Sequence, residues 1–230
     1  MIPTLSIVIP VLDEAPRIGA QLAHVMALAG VDEVIVVDGG SRDETVALAR
    51  SVSGVRVVQA PRGRGEQLNA GATAASGDIL LFLHADVRLP DDAATQVSAA
   101  LQDPTVVAGA FRTRTVNDGT PSWIDPFLPL ADLRSRRTRY PYGDQAMFVR
   151  RTALGKIGGV PEQPLMEDLE LSRRLARCGR IVTLAATVVV SGRRFVQRPA
   201  RSVVAMRVFP WLYRLGVSPW RLARLYGAPR

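Results

Sequence analysis

Acidic residues are missing from the last quarter of this sequence. After Glu170 there is no aspartate or glutamate, yet residues 171–230 carry thirteen arginines. The first 170 residues are net −5, sixteen basic side chains against twenty-one acidic ones, so the overall charge of +8 conceals two parts of opposite sign. Such asymmetry implies that the C-terminal quarter meets something anionic: phosphate, nucleic acid or lipid headgroups. Lysine is almost absent as well. Lys156 is the only one, so an arginine-biased coding style accounts for the residue type, though not for the missing acids. Cysteine occurs once, as Cys178, which excludes an internal disulfide and a thiolate zinc cluster. Long apolar runs are also lacking. The longest stretches without Asp, Glu, Lys or Arg are Ile18–Val31 and Ile181–Gly192, both shorter than the roughly 18–20 residues that a membrane crossing needs. The start, Met-Ile-Pro-Thr-Leu-Ser-Ile-Val-Ile-Pro, has neither the charged beginning nor the small-residue cleavage site of a secretory signal, so the sequence reads as cytoplasmic.

What is present is enough for a substantial core: 230 residues, 47% of them hydrophobic. Apolar β-branched runs recur at Leu5–Ile9, Val34–Val37, Val55–Val58 and Ile79–Leu83, separated by helical-period segments at about 15–29, 43–51 and 65–76. That alternation predicts an α/β fold with a mostly parallel sheet flanked by helices, its strands buried on both faces. A helix over about 91–101 follows, then strands at Val106–Arg112 and Ala146–Val149 around an irregular Pro-rich excursion from Gly119 to Pro141. A helix from about Asp168 to Cys178, stopped by Gly179, precedes strands near 181–184 and 187–191. The remainder, Ser202–Tyr226, reads as an amphipathic helical tail punctuated by Pro210 and Pro219. The chain therefore divides into a catalytic-type domain over 1–200 and a basic tail over 201–230.

In open parallel sheets, ligands bind beyond the carboxyl ends of the strands. Here those ends are rich in carboxylates: Asp13-Glu14 after the first strand, Asp38 and Asp43 after the second, His84-Ala-Asp86 after the fourth. A dinucleotide-binding fold would place Gly-x-Gly-x-x-Gly after the first strand, and no glycine stands there. The Gly63-Arg-Gly65 pair comes after the third strand and lacks the third glycine. A P-loop needs Gly-Lys-Ser/Thr, and the single lysine sits in Gly155-Lys156-Ile157. Both common phosphate-binding classes are excluded.

Five segments together resemble a known family: Ile9-Pro-Val-Leu-Asp-Glu14, Val37-Asp-Gly-Gly-Ser-Arg-Asp43, Arg64-Gly-Glu-Gln-Leu-Asn-Ala-Gly71, Gly77-Asp-Ile-Leu-Leu-Phe-Leu-His-Ala-Asp86 and Glu167-Asp-Leu-Glu-Leu-Ser-Arg-Arg174. Each is weak alone; in this order and spacing, over residues 4 to about 195, they resemble a family 2 glycosyltransferase of the GT-A (Rossmann-like) fold. More narrowly, the set is similar to the small bacterial branch of transferases associated with radical SAM and selenium-domain proteins.

The resemblance implies inverting transfer of a sugar from a nucleoside diphosphate sugar, a UDP-sugar before others, to an unidentified acceptor. Asp38 would accept from a uracil N–H or a ribose hydroxyl, with Pro10, Val11 and Asp13 flanking the base; a turn or helix-cap role for Asp38 is the alternative. Arg64 would reach the diphosphate or the base edge, or stand as a solvated loop arginine. Asp86 would hold Mn²⁺ or Mg²⁺, hard ions that take oxygen ligands and keep much of their water, so that one or two carboxylates suffice. The family pattern is Asp-x-Asp, and His84 departs from it: it hydrogen-bonds the ribose, ligates the metal, or simply packs. Asp168 matches the general base and Glu167 its neighbour, at a helix start whose positive end favours the charged form, an N-cap plus a surface acid being the alternative. Asp144 or Gln145 would hold sugar or acceptor hydroxyls, or pack at the core edge. Arg193 and Arg194 would clamp the diphosphate, a solvated basic turn being the alternative.

Two other classes compete with this reading. A nucleotidyltransferase also uses a parallel sheet, a metal and arginines, but its Gly-rich loop after the first strand is missing. A non-catalytic sugar-nucleotide-binding module would keep the donor site without turnover. Nucleic-acid binding is disfavoured because the aromatics of the tail sit among apolar residues rather than in a stacking array. The tail reads either as helices packed on the core or as a peripheral anchor on the inner face of the cell membrane that brings the site to a lipid-linked acceptor. The number of subunits is not legible in the sequence.

Overall fold

The computed structural model describes residues 3–226 without 124 and 198, and the backbone alone at 137, 194, 197, 199–206 and 226. The first half alternates as expected: β1 (Leu5–Val11), α1 (Ala15–Met26), β2 (Glu33–Asp38), α2 (Thr45–Arg50), β3 (Val55–Gln59), α3 (Arg64–Ala74) and β4 (Ile79–Phe82). These strands pair in parallel in the order β3-β2-β1-β4. The chain builds outward from β1 to β3 on one side and returns to place β4 on the other, which opens a crevice at the carboxyl ends of β1 and β4.

Both faces of this sheet are buried, which is why its strands are almost uninterrupted Val, Ile and Leu. Leu5, Ile7, Ile9 and Val11 point to the layer holding Ile18, Leu22 and Val25 of α1, while Val8 points to the opposite layer with Leu68 of α3. Gly71 lets α3 lie flat on the sheet: a Cβ there would stand 2.2 Å from Val8 Cγ1. Introducing even that methyl would force helix and sheet apart at a cost of about 1–3 kcal/mol.

The second half continues with β5 (Val87–Arg88), α4 (Ala93–Ala100), β6 (Val106–Val116), α5 (Pro129–Arg137), β7 (Phe148–Arg150), α6 (Arg151–Lys156), α7 (Glu167–Leu175), β8 (Arg180–Ser191), α8 (Arg193–Gln197), α9 (Pro199–Arg214) and α10 (Pro219–Tyr226). Among the described residues eight strands form one sheet, ordered β3-β2-β1-β4-β7-β6-β8-β5. Its second half is mixed: β7 runs antiparallel to β4 and β6, β6 and β8 run parallel, and β5 closes the edge antiparallel to β8.

Three expectations need correction here. The two strands near 181–184 and 187–191 are one strand, β8, whose register against β6 shifts at Ala110/Arg112; the bulge absorbs what looked like a break. The excursion from Gly119 to Pro141 is not irregular throughout, since it contains a 3₁₀ turn at Asp125–Phe127 and helix α5. Pro210 lies inside α9 without ending it. The short strand β5 had no sequence signal of its own. Beyond the sheet, Phe209 of α9 and Leu222 of α10 pack with Tyr142, Met166 and Leu169, which fastens the tail to the body of the protein.

Candidate active site

The carboxyl ends of β1, β2 and β4 bring their carboxylates to one edge of the sheet. Asp38 ends β2 and is buried; its Oδ2 accepts from Gly40 N–H at 3.1 Å and its Oδ1 from Ser41 N–H at 3.0 Å. The turn role expected as the alternative is therefore real, and each oxygen has a further lone pair for a ligand. Asp13 takes a left-handed conformation, φ 52°, and ties the β1 loop to the β2 loop: Arg42 N–H donates to its Oδ1 at 2.8 Å and its own N–H donates to Ser41 Oγ at 3.0 Å. Pro10 and Val11 lie at the end of β1, paired with Val37 and Asp38. Where these strands part, the Gln67 side chain of α3 donates to both Val11 C=O (2.9 Å) and Val37 C=O (2.8 Å), satisfying two buried carbonyls that the splayed strands would otherwise orphan.

Past β4, Asp86 meets an arginine from the far end of the domain. Arg193 Nη2 donates to Asp86 Oδ2 at 3.1 Å and to Glu14 Oε1 at 2.7 Å, while Nη1 reaches Glu14 Oε2 at 3.3 Å. The three groups are mostly buried, and the carboxylates hold the Arg193 guanidinium, against its burial, even more firmly protonated than usual. The side chain of Arg194 lies outside the described residues.

A second cluster forms at the start of α7. Met166 enters the helix with φ 64°, and the first turn presents Glu167, Asp168 and Glu170 to the positive helix end. Asn69 of α3 anchors the approach to this turn, accepting from Val160 N–H at 2.7 Å and donating to Val160 C=O at 2.9 Å. Glu167 is buried and receives Arg64 Nη1 at 2.8 Å. Burial pushes the Glu167 carboxyl above its ordinary range, Arg64 pulls it back, and the charge of Asp168 pushes it up again. Burial works against the charge of Arg64, but Glu167, Asp168 and Asp86 outweigh it and hold the guanidinium more firmly protonated than usual.

Asp168 accepts from Gly143 N–H at 2.8 Å on Oδ2 and from Leu169 N–H at 2.7 Å on Oδ1. Gly143 must be glycine for close approach: a Cβ would stand 2.9 Å from His84 Nε2 and 3.5 Å from Asp168 Oδ2. The His84 ring thus lies against the Gly143 backbone on the side of Asp168, and a small cavity is lined by Arg64, Phe82, His84, Gly143, Glu167 and Asp168. Next to it, Arg134 of α5 donates to Asp144 Oδ2 at 2.8 Å and stacks 3.9 Å above the Tyr142 ring, while Asp144 Oδ1 is buried with no partner among the described residues. Burial pushes the Asp144 carboxyl up. Gln145 serves the loop itself: it donates to Phe111 C=O at 2.9 Å and accepts from Tyr142 N–H at 3.1 Å, so nothing of its amide faces outward as the sequence reading expected.

Sequence reasoning had not assigned Glu14, Gln67, Asn69 or Arg134. The first three stand inside the quoted motifs, which was the available signal; Arg134 had none. Among the described residues there is no cluster of three or more His, Cys, Asp or Glu side chains able to cage a metal. A single strand-end carboxylate, Asp86, that already attracts a guanidinium fits a hard divalent ion whose other ligands are water and phosphate oxygens.

Comparison with known proteins agrees with this arrangement. Residues 6–158 match the family model for Glycosyl transferase family 2. The chain is 25% identical over 206 residues to the O-antigen chain rhamnosyltransferase RfbN of Salmonella typhimurium, a match covering 80% of this chain and 66% of that protein, so it spans just under two thirds of that relative. The same fold appears in the mannosyltransferase PcManGT from Pyrobaculum calidifontis, solved in complex with GDP-Man and Mn²⁺ (TM-score 0.70, 23% identity, 98% of this chain and 68% of that one). It appears again in glucosyl-3-phosphoglycerate synthase from Mycobacterium tuberculosis, solved with Mn²⁺, UDP and glucosyl-3-phosphoglycerate (TM-score 0.58, 22% identity, 89% of this chain and 80% of that one).

Proposed function

We propose that this chain, which belongs to glycosyl transferase family 2, moves a sugar from a UDP-sugar to an acceptor hydroxyl with inversion at the anomeric carbon. The observation that carries the reading is the cavity at the carboxyl edge of the sheet that Arg64, His84, Glu167 and Asp168 line together, with Arg64 Nη1 2.8 Å from Glu167. His84, two residues before Asp86, and Asp168 line this one cavity, although they come from segments about 80 residues apart in sequence. The Mn²⁺ and nucleotides bound by the two structural relatives support a donor complex of the same kind.

Asp38 binds the uridine through its remaining lone pairs, beside Pro10, Val11 and Asp13. Asp86 holds Mn²⁺ or Mg²⁺, with His84 two residues away. When bound, such an ion offsets the charge that grows on the departing diphosphate. Arg193 adds a guanidinium on the same side, and Arg64 holds Glu167 in place through its hydrogen bond. Asp168, held by the Gly143 and Leu169 N–H groups, takes the acceptor proton as the hydroxyl attacks. Asp144, with Arg134, faces the acceptor. Residues 1–200 form the catalytic unit, and the basic tail over 201–230 associates peripherally with the inner face of the membrane, where a lipid-linked acceptor is held.

The test is a thermal-shift screen of nucleotide sugars with and without Mn²⁺. A ligand at 100 times its dissociation constant adds about 2.7 kcal/mol of stability, which raises the melting temperature of a chain this size by about 5–10 °C. Metal-dependent stabilisation by UDP-sugars followed by UDP release supports an enzyme; stabilisation without release leaves only a binding module.

A further inference from the structure

Helix α5 is built inside out. Asp132 and Ser135 face the protein: buried Asp132 accepts from the Thr113 and Thr115 hydroxyls of β6 at 2.9 and 2.7 Å, and buried Ser135 accepts from Thr113 N–H at 3.0 Å. Its leucines, Leu130 and Leu133, face outward, preceded by exposed Phe127 with the Trp123 ring edge-on against it at 6.5 Å. A surface helix in contact with water shows the reverse arrangement. The hydrogen bonds to β6 fix the rotation of α5, so its apolar side is held outward by the fold.

The tail presents a matching face. Phe209 and Leu222 point into the protein, whereas Trp211, Leu215, Trp220 and Leu225 point out. All three tryptophans of the chain lie on these two segments, Trp123, Trp211 and Trp220, and they are 75%, 59% and 56% exposed. Tryptophan is highly buried on average in folded proteins. The segments meet past the C-terminal end of α5, where Tyr140, Leu212 and Tyr213 all pack against the cluster that holds Phe209 and Leu222.

Charge identifies the partner. Residues 123–139 contain four arginines and two acids, the buried Asp132 and the half-buried Asp125. The tail adds exposed Arg207, Arg214, Arg221 and Arg224 with no acid at all. A second copy of the chain docked by two-fold symmetry would set arginines against arginines. An anionic bilayer answers every feature: tryptophans sit at headgroup level, the leucines and Phe127 enter the acyl boundary, and guanidiniums meet lipid phosphates.

We propose that the 123–137 segment and helices α9 and α10 form one composite docking surface for an anionic lipid bilayer, extending well past the tail. Given the glycosyltransferase reading on which this part rests, the acceptor is then a hydroxyl carried by a membrane lipid. The geometry favours it, because Tyr142 shares one buried cluster with Phe209 and Leu222 while the next residue, Gly143, donates its N–H to Asp168; the inner side of the docking surface and the base meet at one loop.

The test uses the full chain with vesicles of phosphatidylcholine, with and without phosphatidylglycerol. In the Trp211→Phe/Trp220→Phe variant, Trp123 is the sole tryptophan; its emission is expected to shift to the blue and to be quenched by brominated acyl chains in anionic vesicles. Leu130→Gln/Leu133→Gln is expected to weaken co-sedimentation at least about tenfold, with unchanged circular dichroism and unchanged UDP–Mn²⁺ affinity. An unquenched Trp123 together with undiminished binding of the Gln variant would overturn the composite surface. A concentration-dependent dimer dispersed by the same variant, without vesicle binding, would overturn it in favour of self-association. Absence of UDP binding by the wild type would remove the UDP-sugar donor reading and leave the docking result standing.

Discussion

Asp168→Asn removes a proton acceptor while keeping the side chain's shape. The carboxylate now accepts twice, from Gly143 N–H at 2.8 Å and from Leu169 N–H at 2.7 Å. Asparagine has one oxygen, so its NH₂ group must face one of these two donors. One hydrogen bond to a charged acceptor is lost and a part-buried N–H is left unsatisfied, which costs about 1–3 kcal/mol of stability. For a chain of this size that lowers the melting temperature by about 2–12 °C. The chemical effect is separate. Loss of the general base is expected to slow transfer about 100-fold or more, equivalent to about 2.7 kcal/mol at 1.36 kcal/mol per tenfold. Donor affinity is expected to stay within a few-fold, since the groups read as donor ligands, Asp38, Asp86 and Arg193, are untouched. UDP release from the nucleotide sugar in single turnover, with UDP–Mn²⁺ affinity by calorimetry on the same sample, separates the two effects. Transfer retained by the Asn variant would move the base to Glu167 or to the acceptor side. A fall in turnover matched by lost donor binding would make Asp168 a donor ligand.

Asp86→Ala is expected to weaken UDP-sugar binding and to abolish its dependence on divalent metal; equal UDP binding by the wild type in excess EDTA refutes the metal role. Arg214, Arg221 and Arg224 are all exposed, so changing them together to Gln should end sedimentation with anionic vesicles while leaving the melting temperature unchanged, and wild-type protein that ignores anionic and neutral vesicles alike at low salt sinks the membrane reading. Glu33 gives a pH signature. Burial raises its pKa, but hydrogen bonds from Ser76 and Ser6 and the nearby Arg56 outweigh that and carry it below 4.5. A depressed folded-state value means stability present above the unfolded pKa and lost as pH falls through the folded one. Wild type should therefore lose more stability than Glu33→Gln between about pH 5 and pH 3, and identical acid-unfolding curves would refute the assignment.

The parallel half of the sheet was legible because its inner strands are buried on both faces and leave apolar runs such as Ile79–Phe82. The positions of Asp13, Asp38 and Asp86 followed, since strand ends are local features and carboxylates cannot continue such runs. The start of α7 was legible for a similar reason, its acidic first turn and amphipathic period lying within nine residues. Other features were settled by contacts between distant segments. The pairing of β6 with β8 joins strands about 70 residues apart, and a register shift hides the continuity of β8. Arg193 finds Glu14 across 179 positions, and Arg64 finds Glu167 across 103. Ion pairs of that span leave no periodic trace, because each charge by itself resembles a solvated loop residue. Helix α5 is the plainest case. Its leucines and arginines could have been assigned to either side, and only the Thr113 and Thr115 hydroxyls of β6, by capturing Asp132, turned the polar side inward and left the apolar side out.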